Sequence, residues 1–207
     1  MRFLQKPGET PAEFEGLHYS NKSHRARIRK LLVAVQRGFC AYSERRLGEQ
    51  LDAEEVEHFN DGKKGEADDG FHNWYAVLRK VNQLKMGKHW LDYQPLPAPH
   101  TNEVQQRIEY GGGMFCPRNP DDEPVRNLIK FTGANDYPVV EDRRNHISRL
   151  RWYKSVLPEQ EFLKMFQNDP PQLSFPSALE HELGIPAFAL IEELQADAEG
   201  AEALGRS

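Results

Sequence analysis

The chain has 207 residues, 38% hydrophobic and 29% charged, with a mean hydropathy of −0.76, which suits one ordinary core with a small satellite. No apolar run approaches the roughly 18 residues of a membrane span, and the opening MRFLQKPGETPAEFEG has neither an apolar signal core nor an Arg-rich amphipathic pattern. The expectation is a cytoplasmic protein of one to two domains with no membrane partner. Two cysteines, Cys40 and Cys116, make neither a disulfide framework nor a four-thiolate zinc site.

The net charge of −5 weighs against a whole-surface nucleic-acid binder, but charge is unevenly spread. Between Lys22 and Arg46 eight Lys or Arg face one acid, Glu44, whereas residues 192 to 207 carry five acids and one Arg.

Residues 1–21 are rich in Pro, Gly, Glu and Ser and read as an irregular arm. From Ser23 to Arg37 the spacing of Ile28, Leu31, Leu32 and Val35 predicts an amphipathic helix ending near Gly38, its other face filled by Arg and Lys. FCAYSERRL reads as a turn and short strand, and Glu54 to Phe59 as a second strand. NDGKKGEADDG is a polar loop. Trp74, Val77, Leu78 and Val81 then have helical spacing, predicting a helix from about Asn73 to Met86. Val104 to Tyr110 reads as a strand closing on Gly111, Gly112 and Gly113. Pro138 opens a helix with Val140, Ile147 and Leu150 on its apolar stripe, and the tail after about Glu192 is Ala- and Glu-rich. The fold class expected is α+β: a helical protein with a small embedded strand–strand–helix unit over residues 38–90, inside a domain of residues 22–155, followed by a helical region, 156–207, with an acidic tail.

The residues that carry chemistry are Glu57 and His58 on the predicted strand, Asn73 fifteen residues on, and Asn82 in the helix. Successive strand residues point to opposite faces, so Glu57 is placed to ligate a cation while His58 faces an attacking water. Asn82 adds a neutral oxygen, and two oxygens plus waters suit Mg2+ or Mn2+. Phosphodiester hydrolysis needs a base, positive charge at the phosphate and help for the leaving oxygen; His58 is the natural base. Asn73 completes the catalytic set by tying the loop to the strand of His58.

The pattern resembles the HNH, or ββα-metal, endonucleases, and more narrowly the HNH proteins of Septu-type anti-phage systems (PtuB). The resemblance rests on Cys40-Ala41-Tyr42-Ser43-Glu44 for CAYCE, Val56-Glu57-His58-Phe59 for IEHF, Asn73-Trp74, and Val81-Asn82-Gln83-Leu84-Lys85 for CNxxK. A weaker echo is Phe131-Thr132-Gly133-Ala134-Asn135 with Arg143. It covers residues 22–155. It implies a metal-dependent DNA endonuclease acting as the nuclease subunit of a defence complex with an ABC-type or SMC-like, PtuA-like ATPase. Many members carry two CxxC pairs on a structural zinc. Here Cys40 alone remains, with Ser43, Leu78 and Val81 at the other positions, so no structural zinc is expected and an apolar contact takes its place.

Blander readings stand beside these. Glu57-His58 can be a solvated pair on a surface strand, Asn82 a helix-surface amide, and Lys85 a solvated lysine rather than a phosphate contact. His89 is the rival of Asn82 as a ligand. The basic run Arg25, Arg27, Arg29 and Lys30, with Arg45 and Arg46, is assigned to DNA; its alternative is a solvated face. Arg143, Arg144, Arg149 and Arg151 are alternatives for docking a partner protein. The competing functional class is a catalytically degenerate HNH-fold adaptor or DNA-binding subunit.

Overall fold

The computed structural model describes residues 1–48 and 53–205. It is a mixed α+β fold of helices and two small antiparallel sheets. Helix α1 (Arg25–Val35) forms where the apolar stripe requires it, burying Ile28 and Leu32 and leaving its arginines outside. Strand β1 (Glu54–His58) pairs antiparallel with β2 (Trp74–Leu78), in a register that sets Glu57 opposite Tyr75 and His58 opposite Trp74. Helix α2 (Arg79–Lys85) follows at once.

Residues 74–78 correct the helix expected from about Asn73. All five are buried, so this strand is covered on both faces, and an unbroken apolar run contains the i, i+3, i+4 pattern without being helical. The aromatic and β-branched content of Trp74, Tyr75 and Val77 then favours the strand. A second correction concerns FCAYSERRL, which forms a tight turn with one isolated bridge, Phe39 to Arg46, in place of a strand. A third concerns Val104–Tyr110: residues to Arg107 complete helix α3 (Asn102–Arg107), and only Ile108–Gly111 is strand, β3, hairpinned onto β4 (Met114–Pro117).

The remaining helices are α4 (Glu123–Thr132), α5 (Tyr137–Val156), α6 (Glu159–Asn168), α7 (Pro176–Leu183) and α8 (Ala187–Gly205). Helices α5 to α8 enclose a second apolar cluster built on Ile147, Leu150, Phe162, Phe166 and Leu179, to which the arm contributes Phe3. The first cluster, under β1, β2, α1 and α4, includes Cys40, Leu78 and Val81. Among the described residues no helix is long and apolar enough to cross a membrane. Of the acidic tail, the side chains beyond Asp197 lie outside the described residues.

Candidate active site

Alternation along β1 sends Glu55 and Glu57 to one face and Val56 and His58 to the other. Helix α2 lies against the glutamate face with Arg79, Asn82 and Lys85 at three-residue spacing, on one side of the helix. Glu55 is met by Arg79 Nε at 2.8 Å and by Asn82 Nδ2 at 2.9 Å. Glu57 is met by Lys85 Nζ and by the Tyr42 hydroxyl, one on each carboxylate oxygen. Lys85 also lies 3.1 Å from the His58 carbonyl, 3.4 Å from that of Phe59 and over the Phe131 ring. Glu57 and Lys85 are 5% and 6% exposed, so this is a buried ion pair. Burial raises the Glu57 carboxyl and Lys85, with the Tyr42 hydroxyl, opposes the rise.

His58 is 6% exposed. Its Nε2 lies 3.2 Å from Asp69 Oδ2, a close approach without hydrogen-bond alignment. Burial, opposed by the Asp69 charge, pulls the imidazole down to about 4, so at neutral pH His58 is an uncharged base. Asp69, a residue that sequence reading passed over, organises the loop. Its Oδ1 accepts from Trp74 Nε1 at 2.7 Å and Asn73 Nδ2 at 3.1 Å, and its Oδ2 accepts from the Gly65 amide at 2.9 Å. The only sequence signal for it was an acid within a glycine-punctuated loop. Asn73 spans the loop's two ends: its Oδ1 accepts from the Asn60 amide at 2.7 Å and its Nδ2 donates to the Asn60 carbonyl at 3.1 Å.

Glu57, His58, Asp61, Asn82, Lys85 and His89 line one cleft of about 250 Å³. Helix α2 stops before Gly87, whose positive φ of 81° turns the chain so that His89 returns to the cleft. His89 Nδ1 lies 2.8 Å from Asp61 Oδ2, and the carboxylate raises its imidazole above the ordinary histidine value. Two histidines of one cleft are thus pushed in opposite directions. A larger cleft of about 500 Å³ is lined by Asn60 and Asn73 together with His72 and His100, so His72 does not share the cleft of His58.

The basic residues divide. Arg25, Arg27, Arg29 and Lys30 are exposed on α1, and this helix reaches the site through Tyr19, whose ring is over the Arg25 guanidinium at 4.8 Å and edge-on to His58 at 4.5 Å. Arg45 is turned to Asp142 and lies over Phe175, and Arg46 lies over Phe39 with a bond to the Arg37 carbonyl. Arg143, read as a docking residue, is corrected: it is 1% exposed, donating to the carbonyls of Gly113 at 3.0 Å and Ala134 at 2.9 Å. Arg144, Arg149 and Arg151 do lie exposed.

The divalent ion implied by the resemblance does not fit the site as it stands. Both oxygens of Glu57 are engaged, one of them by an ammonium group, and Asn82 turns its amide to Glu55, not to Glu57. Among the described residues no group of three or more His, Cys, Asp and Glu side chains is arranged to hold a metal. Comparison with protein-family models, with curated proteins and with solved structures finds no match for this chain.

Proposed function

We propose that the chain hydrolyses phosphodiester bonds of DNA, with His58 as the base that takes a proton from the attacking water. The observation that carries this reading is a buried imidazole, set beside Asp69 in a cleft that is also lined by Lys64, Lys85, Lys88 and His89. A buried, perturbed base in a cleft where cationic groups are held by the carboxylates of Glu57, Asp61 and Asp136 is matched to an anionic substrate attacked by water. The order β1, loop, β2, α2, with Glu57-His58 ending the first strand, Asn73 at the foot of the second and Asn82 in the helix, supports the HNH resemblance. The exposed face of α1, joined to His58 through Tyr19, continues the cationic surface along which a backbone would lie. An acidic chain with one such patch holds DNA weakly alone, which supports a second subunit, the ATPase implied by the same resemblance.

One observation favours the adaptor reading: Glu57, the expected ligand, is committed to Lys85. Supercoiled plasmid separates the two. Nicking by the full chain, with or without the ATPase, lost in His58→Ala, is expected; cleavage at an unchanged rate in that variant overturns the assignment of the base, and no cleavage in either setting selects the adaptor.

A further inference from the structure

The disagreement between Glu57 and a divalent ion points to how this site works. We propose that Lys85 and His89 replace the metal ion: the ammonium of Lys85 supplies the fixed positive charge at the phosphate, and the imidazolium of His89 protonates the leaving oxygen. The inference rests on the nuclease reading and alters its chemistry.

Lys85 stands where a cation bound to Glu57 would stand. It touches one carboxylate oxygen and lies 3.1 Å from the His58 carbonyl and 3.4 Å from that of Phe59, three oxygens around one positive charge. The ammonium is tethered four residues from the end of the cleft's own turn and reaches Glu57 without the loss of translational freedom that a free ion suffers. Both Glu57 oxygens are already engaged, by Tyr42 and by Lys85 itself, and Asn82 is turned to Glu55, so the oxygens that would anchor a hydrated Mg2+ are committed elsewhere. The weakest of the three contacts, to Phe59, is the one an N–H exchanges for a phosphate oxygen.

His89 faces the same cleft from the opposite wall of α2's turn. Asp61 Oδ2 holds Nδ1 at 2.8 Å, and Asp61 Oδ1 accepts from the Trp90 amide at 2.9 Å, which fixes the carboxylate. The ring is 67% exposed, so Nε2 can reach a bound ester. The charged groups around it are Asp61 and Asp92, which favour the imidazolium, and Lys85, which opposes it; Lys64 and Lys88 line the same cleft.

The balance closes without a co-reactant. Water's oxygen bonds to phosphorus as its proton passes to His58, the bond from phosphorus to the leaving oxygen breaks, and that oxygen takes the proton of His89. The products are a phosphomonoester and an alcohol, and the two imidazoles exchange protons with solvent to return to their starting states.

Three experiments on the full chain test this. Mn2+ followed by electron paramagnetic resonance should stay free in the presence of the protein; uptake of one Mn2+ per chain, abolished by Glu57→Gln, overturns the proposal whether or not any nucleic acid is cleaved. Plasmid cleavage should proceed equally in excess EDTA and in Mg2+, and cleavage that requires Mg2+ overturns the proposal while leaving the nuclease reading intact. His89→Ala should slow plasmid cleavage about 10²- to 10⁴-fold and remove the loss of rate at alkaline pH. The same variant should cleave bis(4-nitrophenyl) phosphate, whose leaving group needs no proton, at nearly the parent rate. Equal slowing on both substrates, or full activity on plasmid, removes His89 from the mechanism.

Discussion

The two halves of this molecule are held together differently. Among the described residues twelve polar or charged ones are buried; nine, from Lys6 to Lys85, precede residue 90, and Thr132, Arg143 and Ser174 follow it. The β1–β2–α2 unit is therefore a core that holds the buried Glu57–Lys85 pair and the His58–Asp69 approach, whereas the α5–α8 region is, among the described residues, an apolar core with a single buried charge of its own, Arg143. Burying ions is costly unless each is matched, and replacing a matched pair by apolar groups is often neutral or stabilising. A buried pair of this kind is weak evidence for stability, which is why the cleft in the first half, and not the apolar cluster of the second, carries the functional reading.

The contrast is broken or sharpened most strongly by deleting one member of each kind of core. Lys85→Met leaves Glu57 buried without its partner and should lower stability by about 3–5 kcal/mol. Phe166→Ala in the second core should cost a similar amount, about 3–5 kcal/mol, through cavity formation. A second substitution separates them: adding Glu57→Gln to Lys85→Met should recover most of the loss in urea unfolding. An unrelieved double variant would show that Lys85 acts by packing on Phe131 and not by charge.

Acid should act next. His58 is held at about 4, below its unfolded value of about 6.5, so the unfolded chain binds the proton first. The corresponding stability is intact above about pH 6.5 and is lost as pH falls from there to about 4, on the order of 3 kcal/mol in all. His146 in the second region, whose burial also brings it to about 4, contributes in the same window. Comparing His58→Gln with His146→Gln in unfolding at pH 7 and pH 5 divides the effect, and a parent protein equally stable at both pH values would refute it.

Asn73→Ala removes both bonds to Asn60 and one to Asp69, which should cost about 1–3 kcal/mol and open residues 60–72 to limited proteolysis. Loop cleavage no faster than in the parent would deny Asn73 its tying role. The smallest effect belongs to Asn82→Ala, whose half-exposed bond to Glu55 should be worth no more than about 1 kcal/mol. A much larger loss, or Mn2+ binding that depends on Asn82, would restore it as a ligand.

By itself the sequence determined the helices with a solvated face: α1 and α5 follow from apolar stripes because one-sided burial writes the helical period into the chain. It also pointed to Asn73 as the tie between the loop and the strand of His58, where the structure has it bonded to Asn60. Tertiary structure decided the rest. Residues 74–78 are strand because both faces are covered, a circumstance that erases periodicity, and Arg143 is buried because carbonyls of Gly113 and Ala134 converge on it from separate segments. The partner of Glu57 lies 28 residues away in Lys85 and that of His58 eleven residues away in Asp69. Composition and spacing name the groups able to carry charge, but which charge meets which depends on the packing of β1 against α2 and of the loop beneath it.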